Sequence, residues 1–319
     1  MIARVSQAFD PMVRLLLVAI LLANFLPVTG EARPVAQLVS NTAIFLLFLL
    51  NGLRLPRDEV LRGIGNVRFL LPLVLWCFGA MALAGWGVSH ALAGLLPATV
   101  ALGFLYLGTL PSTVQSATAY CSIAGGNVAS SVVAAALLNI TGVFVTAPLF
   151  SALAGSAGVG IDLDGLARVG MILLLPFTIG QVLQRGAGKW VKDNRRLATW
   201  MDRICIATAV YVAFSGAVEQ GIWDMLGLAS WAILAATVLA LLGFAFGGAW
   251  LLGAALALKR GDRIAMMFSG GQKSIAMGAP LAAVLFPPAF AGIVLLPVLT
   301  YHLFQLILSA PLAARLARH

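Results

Sequence analysis

Charged side chains are scarce in this sequence. Asp, Glu, Lys and Arg make up 10% of its 319 residues and hydrophobic residues make up 61%, and the mean hydropathy is +1.01. A typical soluble domain is about 25% charged and about 45–50% apolar. Because so few charges cannot cover the surface of a soluble fold, the composition excludes a soluble enzyme, a disordered chain and a disulfide scaffold. It predicts an all-α membrane protein.

Cysteines and catalytic motifs are also scarce. Cys77, Cys121 and Cys205 are the only cysteines, and they lie far apart in apolar stretches without a metal-binding pattern. This placement predicts small buried thiols. The sequence has no P-loop, dinucleotide-binding glycine motif, zinc-protease motif or Ser-His-Asp set. We therefore expect no enzyme activity, no ATP-driven transport, no resident metal and no cofactor.

Long apolar runs are what the sequence has in abundance. A helix needs roughly 20 apolar residues to cross the hydrocarbon of a bilayer. Such stretches predict ten spans: Met12–Val28, Val35–Leu53, Phe69–Leu92, Ala98–Ile123, Val128–Leu153, Leu166–Leu183, Met201–Ala217, Leu228–Leu256, Ile264–Leu285 and Ala289–Leu312.

The basic residues indicate how these spans are oriented. The chain has 20 Lys and Arg against 11 Asp and Glu, a net charge of +9, which in a soluble protein would suggest nucleic-acid binding. Here 17 of the 20 fall on one side of the ten spans, Arg33 and Arg168 fall on the other, and Lys273 lies inside a span. Cytoplasmic loops collect Lys and Arg. The asymmetry predicts a multi-pass inner (plasma) membrane protein with cytoplasmic termini, and no nucleic-acid partner.

The chain divides into two halves of five spans, residues 1–155 and 156–319, joined by the acidic, glycine-rich hinge Gly155–Gly165. Since five is odd, the second half enters the membrane from the opposite side, which predicts an inverted repeat. The fourth span of each half is interrupted, at Leu110–Ala117, which contains Pro111, and at Ser269–Ile275, which contains the pair Gly270–Gly271. Matching interruptions predict discontinuous helices, whose freed backbone groups are tolerated only inside protein or beside a wet cavity.

Polar side chains gather at both interruptions and form the first candidate site. They are Ser112, Thr113, Gln115, Ser116, Ser269, Gln272 and Ser274. In broken helices such residues bind substrates and coupling ions. The alternative is a kinked helix whose small residues permit close packing.

Short strings around these interruptions carry a resemblance to a known family. They are Leu107–Val114, Gly125–Asn127, Gly142–Pro148, Pro176–Gln181, Lys273–Pro280 and Tyr301-His302 with Gln305. Their order and spacing resemble the bile acid:sodium symporter superfamily. The more similar part of it is the SBF-like branch, which includes the seventh member of solute carrier family 10.

The resemblance implies a fold and an activity. It implies ten helices in a five-plus-five inverted repeat, with broken helices 4 and 9 crossing each other. Helices 1, 2, 6 and 7 would form a panel, and helices 3–5 and 8–10 a core. A small organic anion would bind between them near the crossing and move by alternating access. In sodium-coupled relatives two sodium ions bind at this crossing through Ser, Thr, Asn, Gln and Glu side chains.

Carried over to this sequence, the sodium-site pattern is incomplete. Ser131 and Gln272 match a serine and a glutamine of the pattern. The glutamate position falls on or near Phe268, the asparagine position is Lys273, and a threonine position is Ala135. An ammonium group would repel sodium and no carboxylate would balance it. The sequence therefore argues against sodium coupling and favours proton coupling or sodium-independent transport.

Lys273 is the one charged residue deep inside a predicted span. A charge at membrane depth costs several kcal/mol and marks a candidate functional residue. Its ammonium group could act as a fixed charge in place of sodium, exchange a proton, or contact an anionic substrate. The alternative is a structural lysine bonded to carbonyls freed by Gly270 and Gly271.

Further candidates lie on neighbouring spans. His302 and Gln305 are one turn apart in the tenth span, and His302 could face the substrate or pair with a neighbour. Asn51 lies at the end of the second span, and this position favours a C-cap over a binding residue. Asn127 precedes the fifth span as an N-cap or an ion ligand. Asn139 is predicted to form an interhelical hydrogen bond.

The sequence as a whole predicts a secondary transporter of a small organic anion. Two alternatives stay open at this point: a membrane regulator of calcium homeostasis that carries no solute, and a channel.

Overall fold

Helices make up almost all the regular structure. The computed structural model describes residues 11–54, 65–155 and 167–318, in which the only non-helical pairing is an isolated bridge between Ala93 and Leu96. We number the helices α1 (Pro11–Phe25), α2 (Ala32–Arg54), α3 (Val67–Ala91), α4 (Ala98–Thr109), α5 (Gln115–Ile123), α6 (Val128–Ala154), α7 (Ala167–Asp193), α8 (Arg195–Glu219), α9 (Leu228–Ala255), α10 (Arg260–Gly271), α11 (Ile275–Leu285) and α12 (Pro288–Leu316). A single turn at Ile222–Met225 precedes α9.

Seven of these helices are long and apolar enough to cross a membrane: α2, α3, α6, α7, α8, α9 and α12. The helices α1 and α4 are also apolar but shorter. A chain with this many apolar helices is a polytopic membrane protein, as the composition predicted.

The basic segment before the predicted seventh span is helical rather than a loop. Helix α7 continues to Asp193 and α8 already begins at Arg195. Val191 and Ala198 are buried within this segment, and Lys and Arg are good helix formers. The segment is therefore the amphipathic end of two helices, and the predicted loop was wrong.

Some predicted features lie outside the described residues. They are the basic residues Arg4, Arg57 and Arg62 and the hinge residues 156–165.

The described residues form two compact units. Unit 1 contains α1, α2, α7, α8 and the junction of α11 with α12, within Met1–Leu55, Ile161–Met225 and Ala279–Ile293. Unit 2 contains α3 to α6, α9, α10 and most of α12, within Pro56–Gly160, Leu226–Gly278 and Val294–His319. The inverted repeat and the panel and core stay predictions.

Glycines bring helices close together inside unit 1. A side chain at Gly52 would collide with the Phe177 carbonyl, and one at Gly180 with the Leu49 carbonyl. This contact lets Gln181 Nε2 donate a hydrogen bond to the Gly52 carbonyl. Helices α2 and α7 therefore pack backbone against backbone, as small residues allow in membrane proteins.

Both predicted interruptions are real breaks, but one has a different cause. The residue before a proline is pushed out of the helical region, and Leu110, before Pro111, has φ −72° and ψ 147°. In the second break the helix runs through Gly270 and Gly271, and Gln272 is extended with φ −91° and ψ 147°. The two glycines are the last two residues of α10, and the extended backbone begins at Gln272. They admit neighbouring aromatic rings, which a side chain at either position would meet.

Candidate functional site

The two helix breaks, which both lie in unit 2, are bonded to each other. The Ser274 backbone N–H donates to the Pro111 carbonyl at 2.9 Å. Gln272 Oε1 accepts hydrogen bonds from Thr113 Oγ1 at 2.6 Å and Ser116 Oγ at 2.5 Å. We call residues 110–116 and 272–274 the break cluster. Its parts form one hydrogen-bonded structure.

Lys273 occupies the centre of the break cluster. Its side chain extends to Nζ, which donates to the carbonyls of Leu110 at 2.7 Å, Gly108 at 2.9 Å and Cys77 at 3.1 Å. An ammonium group has three donors, so each has a carbonyl partner. The residue is 1% exposed. The structure therefore buries the amino group of Lys273 within a cage of backbone oxygens.

Each carbonyl of this cage is available for a structural reason. Gly108 and Leu110 lie at the C-terminal end of α4, where carbonyls lack helical partners and the helix dipole is negative. Cys77 lies in a π-helical turn, Trp76–Ala80, inside α3, and such turns perturb the regular backbone pairing. The structural alternative had assigned Lys273 to carbonyls freed by Gly270 and Gly271, and this was wrong.

Side chains of α12 hold the Lys273 peptide groups in place. Gln305 Oε1 accepts from the Lys273 backbone N–H at 2.8 Å, and Gln305 Nε2 donates to the Lys273 carbonyl at 3.0 Å. Gln305 Nε2 also lies 2.9 Å from His302 Nδ1. One turn further along α12, Ser309 Oγ accepts from Gln272 Nε2 at 3.2 Å. Helix α12 thus holds the second break in place through hydrogen bonds from Gln305 and Ser309.

Helix α6 supports the first break in the same way. Asn139 Nδ2 donates to the Ser112 carbonyl at 3.0 Å, and Thr146 Oγ1 donates to the Thr109 carbonyl at 3.1 Å. Gly142 lies between them on the same helical face. Buried backbone groups need partners, and α6 supplies them, which confirms the interhelical hydrogen bond predicted for Asn139.

The remaining serines of the site have structural partners too. Ser274 Oγ accepts from the Met277 backbone N–H at 3.2 Å, which is an N-cap of α11. Ser131 Oγ and Ser269 Oγ lie 3.4 Å apart, and both residues are fully buried.

An aromatic cluster occupies the position where the resemblance implied a glutamate. Phe268 is fully buried. Its ring lies 6.0 Å from the ring of Tyr120 and 5.9 Å from that of Phe246, measured between centroids. Ala135 is also fully buried. The surroundings of Phe268 are therefore apolar.

Comparison with known proteins places this geometry in a family. Residues 10–318 match the SBF-like CPA transporter family. The chain belongs to the SBF-like CPA transporter family. It is 33% identical to the putative symporter YfeH of Escherichia coli over 315 residues, which are 99% of this chain and 95% of that protein.

Other relatives are more distant or have no described activity. The chain is 36% identical over 304 residues to an uncharacterized protein of Pseudomonas aeruginosa, covering 95% of this chain and 91% of that protein. It is 23% identical over 281 residues to mouse sodium/bile acid cotransporter 7, covering 86% and 82%. These findings confirm the resemblance. A member of the SBF-like CPA transporter family is a multi-pass membrane transporter rather than an enzyme.

Most of the residues singled out from the sequence lie together in this SBF-like CPA transporter. The structure gathers ten of them in unit 2: Ser112, Thr113, Ser116, Ser131, Ser269, Gln272, Lys273, Ser274, His302 and Gln305. Gln115 begins α5 with an exposed side chain. Asn51 lies in unit 1, inside α2 rather than at its C-cap, because that helix continues to Arg54.

Asn127 caps a helix beside an acidic residue. Its Oδ1 accepts from the Ser130 N–H at 3.1 Å, and its Nδ2 donates to Asp262 at 2.8 Å. Asn127 is therefore the N-cap of α6, one of the two alternatives drawn from the sequence. No pattern in the sequence indicated the bond to Asp262.

Sequence reasoning missed the side chains that complete the site. Thr146 and Ser309 satisfy the breaks, and Cys77 supplies a carbonyl to Lys273. One signal was available, since Thr146 is seven residues from Asn139 and Ser309 is seven from His302. That spacing puts each pair on one helical face.

Proposed function

We propose that this protein is a secondary transporter that moves a small organic anion by alternating access without sodium. In this proposal it has ten membrane spans in two inverted halves, lies in the inner membrane, and has cytoplasmic termini. Unit 1 corresponds to the panel and unit 2 to the core. The observation that carries the proposal is the Lys273 ammonium group, held by three backbone carbonyls at the paired helix breaks.

The position of the ammonium group is one that suits a coupling cation. In transporters with broken helices, unwound carbonyls and half-helix C-terminal ends coordinate sodium or protons. Here the same kind of oxygens, at the end of α4, are occupied by a cation that belongs to the chain. A fixed positive charge there supports the helix ends permanently, so no ion has to bind before the substrate.

The other two roles considered for Lys273 have less support. Direct contact with an anion would need a free donor, whereas all three donors bind carbonyls. Loss of a proton would leave two N–H donors for three carbonyls, and an unsatisfied buried acceptor costs about 1–3 kcal/mol. The three carbonyl contacts match the three donors of an ammonium group.

The position where the resemblance implies a glutamate gives a second argument against sodium. A sodium ion buried beside an ammonium group would need a carboxylate, and Phe268 lies among aromatic rings at the position where the resemblance implies one. Ser131 and Ser269 offer only neutral hydroxyl oxygens. Uncompensated charge in such surroundings is costly.

The test is the effect of sodium on the purified protein. Melting temperature is measured while sodium chloride replaces choline chloride at constant ionic strength. A ligand at 100 times its Kd stabilises a protein by about 2.7 kcal/mol, so a sodium site would raise the melting temperature in a saturable way. We expect no such rise.

Uptake into proteoliposomes provides the functional half of the test. Taurocholate is the first probe, because the mouse relative is named a sodium/bile acid cotransporter, and a panel of smaller organic anions follows. We expect uptake of at least one anion to be equal with sodium and with choline, and to be lost in Lys273→Ala protein that still reaches the membrane. Sodium-dependent uptake or normal uptake by Lys273→Ala would refute the proposal.

A further inference from the structure

A small cavity in unit 1 combines a cationic group with an apolar wall. Its volume is about 130 Å³, and its polar lining consists of Gln37, Asn41 and Arg168. Its apolar lining includes Val284 and Phe286. The break cluster in unit 2 contributes nothing to this cavity.

The polar residues that line the cavity favour the binding of an anion. Gln37 Nε2 donates to Asn41 Oδ1 at 3.1 Å, so that oxygen is occupied and the Asn41 Nδ2 group is the part of the amide left to donate. Arg168 is exposed, and no carboxylate lies within 4.0 Å of it among the described residues. A guanidinium group binds carboxylates through two parallel N–H donors.

Arg33, the other arginine predicted on this side of the membrane, has different surroundings. Arg33 forms an ion pair with Glu219 and does not line the cavity. Of these two arginines, only Arg168 lines the cavity, and it forms no ion pair with any of the described residues.

The volume of the cavity and its apolar wall restrict the class of ligand further. A volume of about 130 Å³ corresponds to about four water molecules at about 30 Å³ each, so the cavity suits a ligand no larger than a short-chain carboxylate. Pockets for drug-sized ligands are larger, at about 300–1,000 Å³. The apolar wall, formed where α11 ends and α12 begins, suits a short alkyl chain.

The location of the cavity follows from its helices. Gln37 lies near the start of α2 and Arg168 near the start of α7, and these helices carry Arg54 and Lys192 in their last turns. Because basic helix ends mark the cytoplasmic side, the cavity belongs to the opposite side.

We propose that this cavity binds a small amphipathic monocarboxylate, with its carboxylate on Arg168 and Asn41 and its alkyl chain against Val284 and Phe286. The inference rests on the proposed function, since it names the class of anion that the transporter takes from the side opposite the cytoplasm. It is a site separate from the break cluster.

Butyrate is the probe, and the full chain in lipid nanodiscs is the sample. Melting temperature is measured as potassium butyrate replaces potassium chloride at constant ionic strength. We expect saturable stabilisation by butyrate and none by butyramide, its neutral counterpart. Arg168→Gln is expected to raise the apparent Kd for butyrate by about 10- to 100-fold, as loss of a charge-assisted hydrogen bond implies. Arg33→Gln is the matched control and should bind butyrate as the wild type does.

A second variant covers the case in which Arg168→Gln does not fold. Asn41→Asp keeps the size of the side chain and adds a like charge, so it should also abolish stabilisation by butyrate. Equal stabilisation by butyramide, unchanged binding in both variants, or absence of butyrate stabilisation in the wild type would overturn the inference. The sodium experiment tests the break cluster, whereas the butyrate experiment tests the cavity in unit 1. A negative result with butyrate therefore leaves the conclusion on sodium unchanged, and a positive result with sodium leaves the conclusion on butyrate unchanged.

Discussion

Replacing Lys273 by Met removes the buried cation while keeping the length of the side chain. Three hydrogen bonds to Nζ are lost, and bonds to a charged group contribute about 1.5–3 kcal/mol each, or about 5–9 kcal/mol together. Against this, the variant no longer buries an ammonium group, which costs several kcal/mol. The difference leaves the variant less stable by about 3 kcal/mol, because carbonyls at the end of α4 lose their donors.

The assay is thermal unfolding of the purified protein in detergent, followed by size-exclusion chromatography of the heated samples. One kcal/mol corresponds to about 2–4 °C in domains of 150–250 residues, so a loss of about 3 kcal/mol should lower the melting temperature by about 6–12 °C. Lys259→Met is the matched control. Lys259 is exposed just before α10, and surface substitutions change stability by about 0.5 kcal/mol or less.

The result that would refute this reasoning is specific. If Lys273→Met melted at the same temperature as the wild type, the three carbonyls would not depend on the ammonium group. A similar fall in Lys259→Met would show that loss of any lysine charge has this effect. Either result would remove the basis for regarding Lys273 as a fixed cation that holds the breaks together.

Two further substitutions test the supports around the breaks. Gln305→Leu removes both hydrogen bonds to the Lys273 peptide groups and should lower stability by about 2–4 kcal/mol; a melting curve like that of the wild type would show that other groups take over. Gly142→Ala would place a methyl group against the Pro111 ring, at 2.7 Å, and should lower the melting temperature, whereas Gly243→Ala, with open space around it, should be neutral or stabilising. Equal effects of the two alanine substitutions would contradict the packing argument.

The first break could be foreseen from the chain because its cause is local. Pro111 lacks an N–H group and restricts Leu110, so a helix through this point is disfavoured wherever it lies. The second break has no proline. It lies at residues 272–274, directly after the glycine pair and inside the predicted interruption Ser269–Ile275. Neighbouring rings lie where side chains at Gly270 and Gly271 would be, and the positions of those rings depend on distant parts of the chain.

The hydrogen-bond partners of Lys273 in unit 2 were harder to predict from the sequence than Lys273 itself. Polar residues in an apolar span stand out by composition, and Lys273 was identified in that way. Its partners are backbone carbonyls, which every residue carries, so no side chain in the sequence marks Cys77 or Gly108. Only the end of α4 and the π-helical turn in α3 make those oxygens available.

The sequence by itself determined that this chain is an all-helical membrane protein of a transporter family, with two helix breaks and a buried lysine between polar residues. Hydropathy, charge asymmetry and proline are properties that each short segment carries alone. Tertiary structure decided which groups the lysine contacts, because hydrogen bonds join groups far apart in the chain. It also decided that Arg168 lines a cavity while Arg33 pairs with Glu219, since two arginines alike in sequence differ only in what lies beside them.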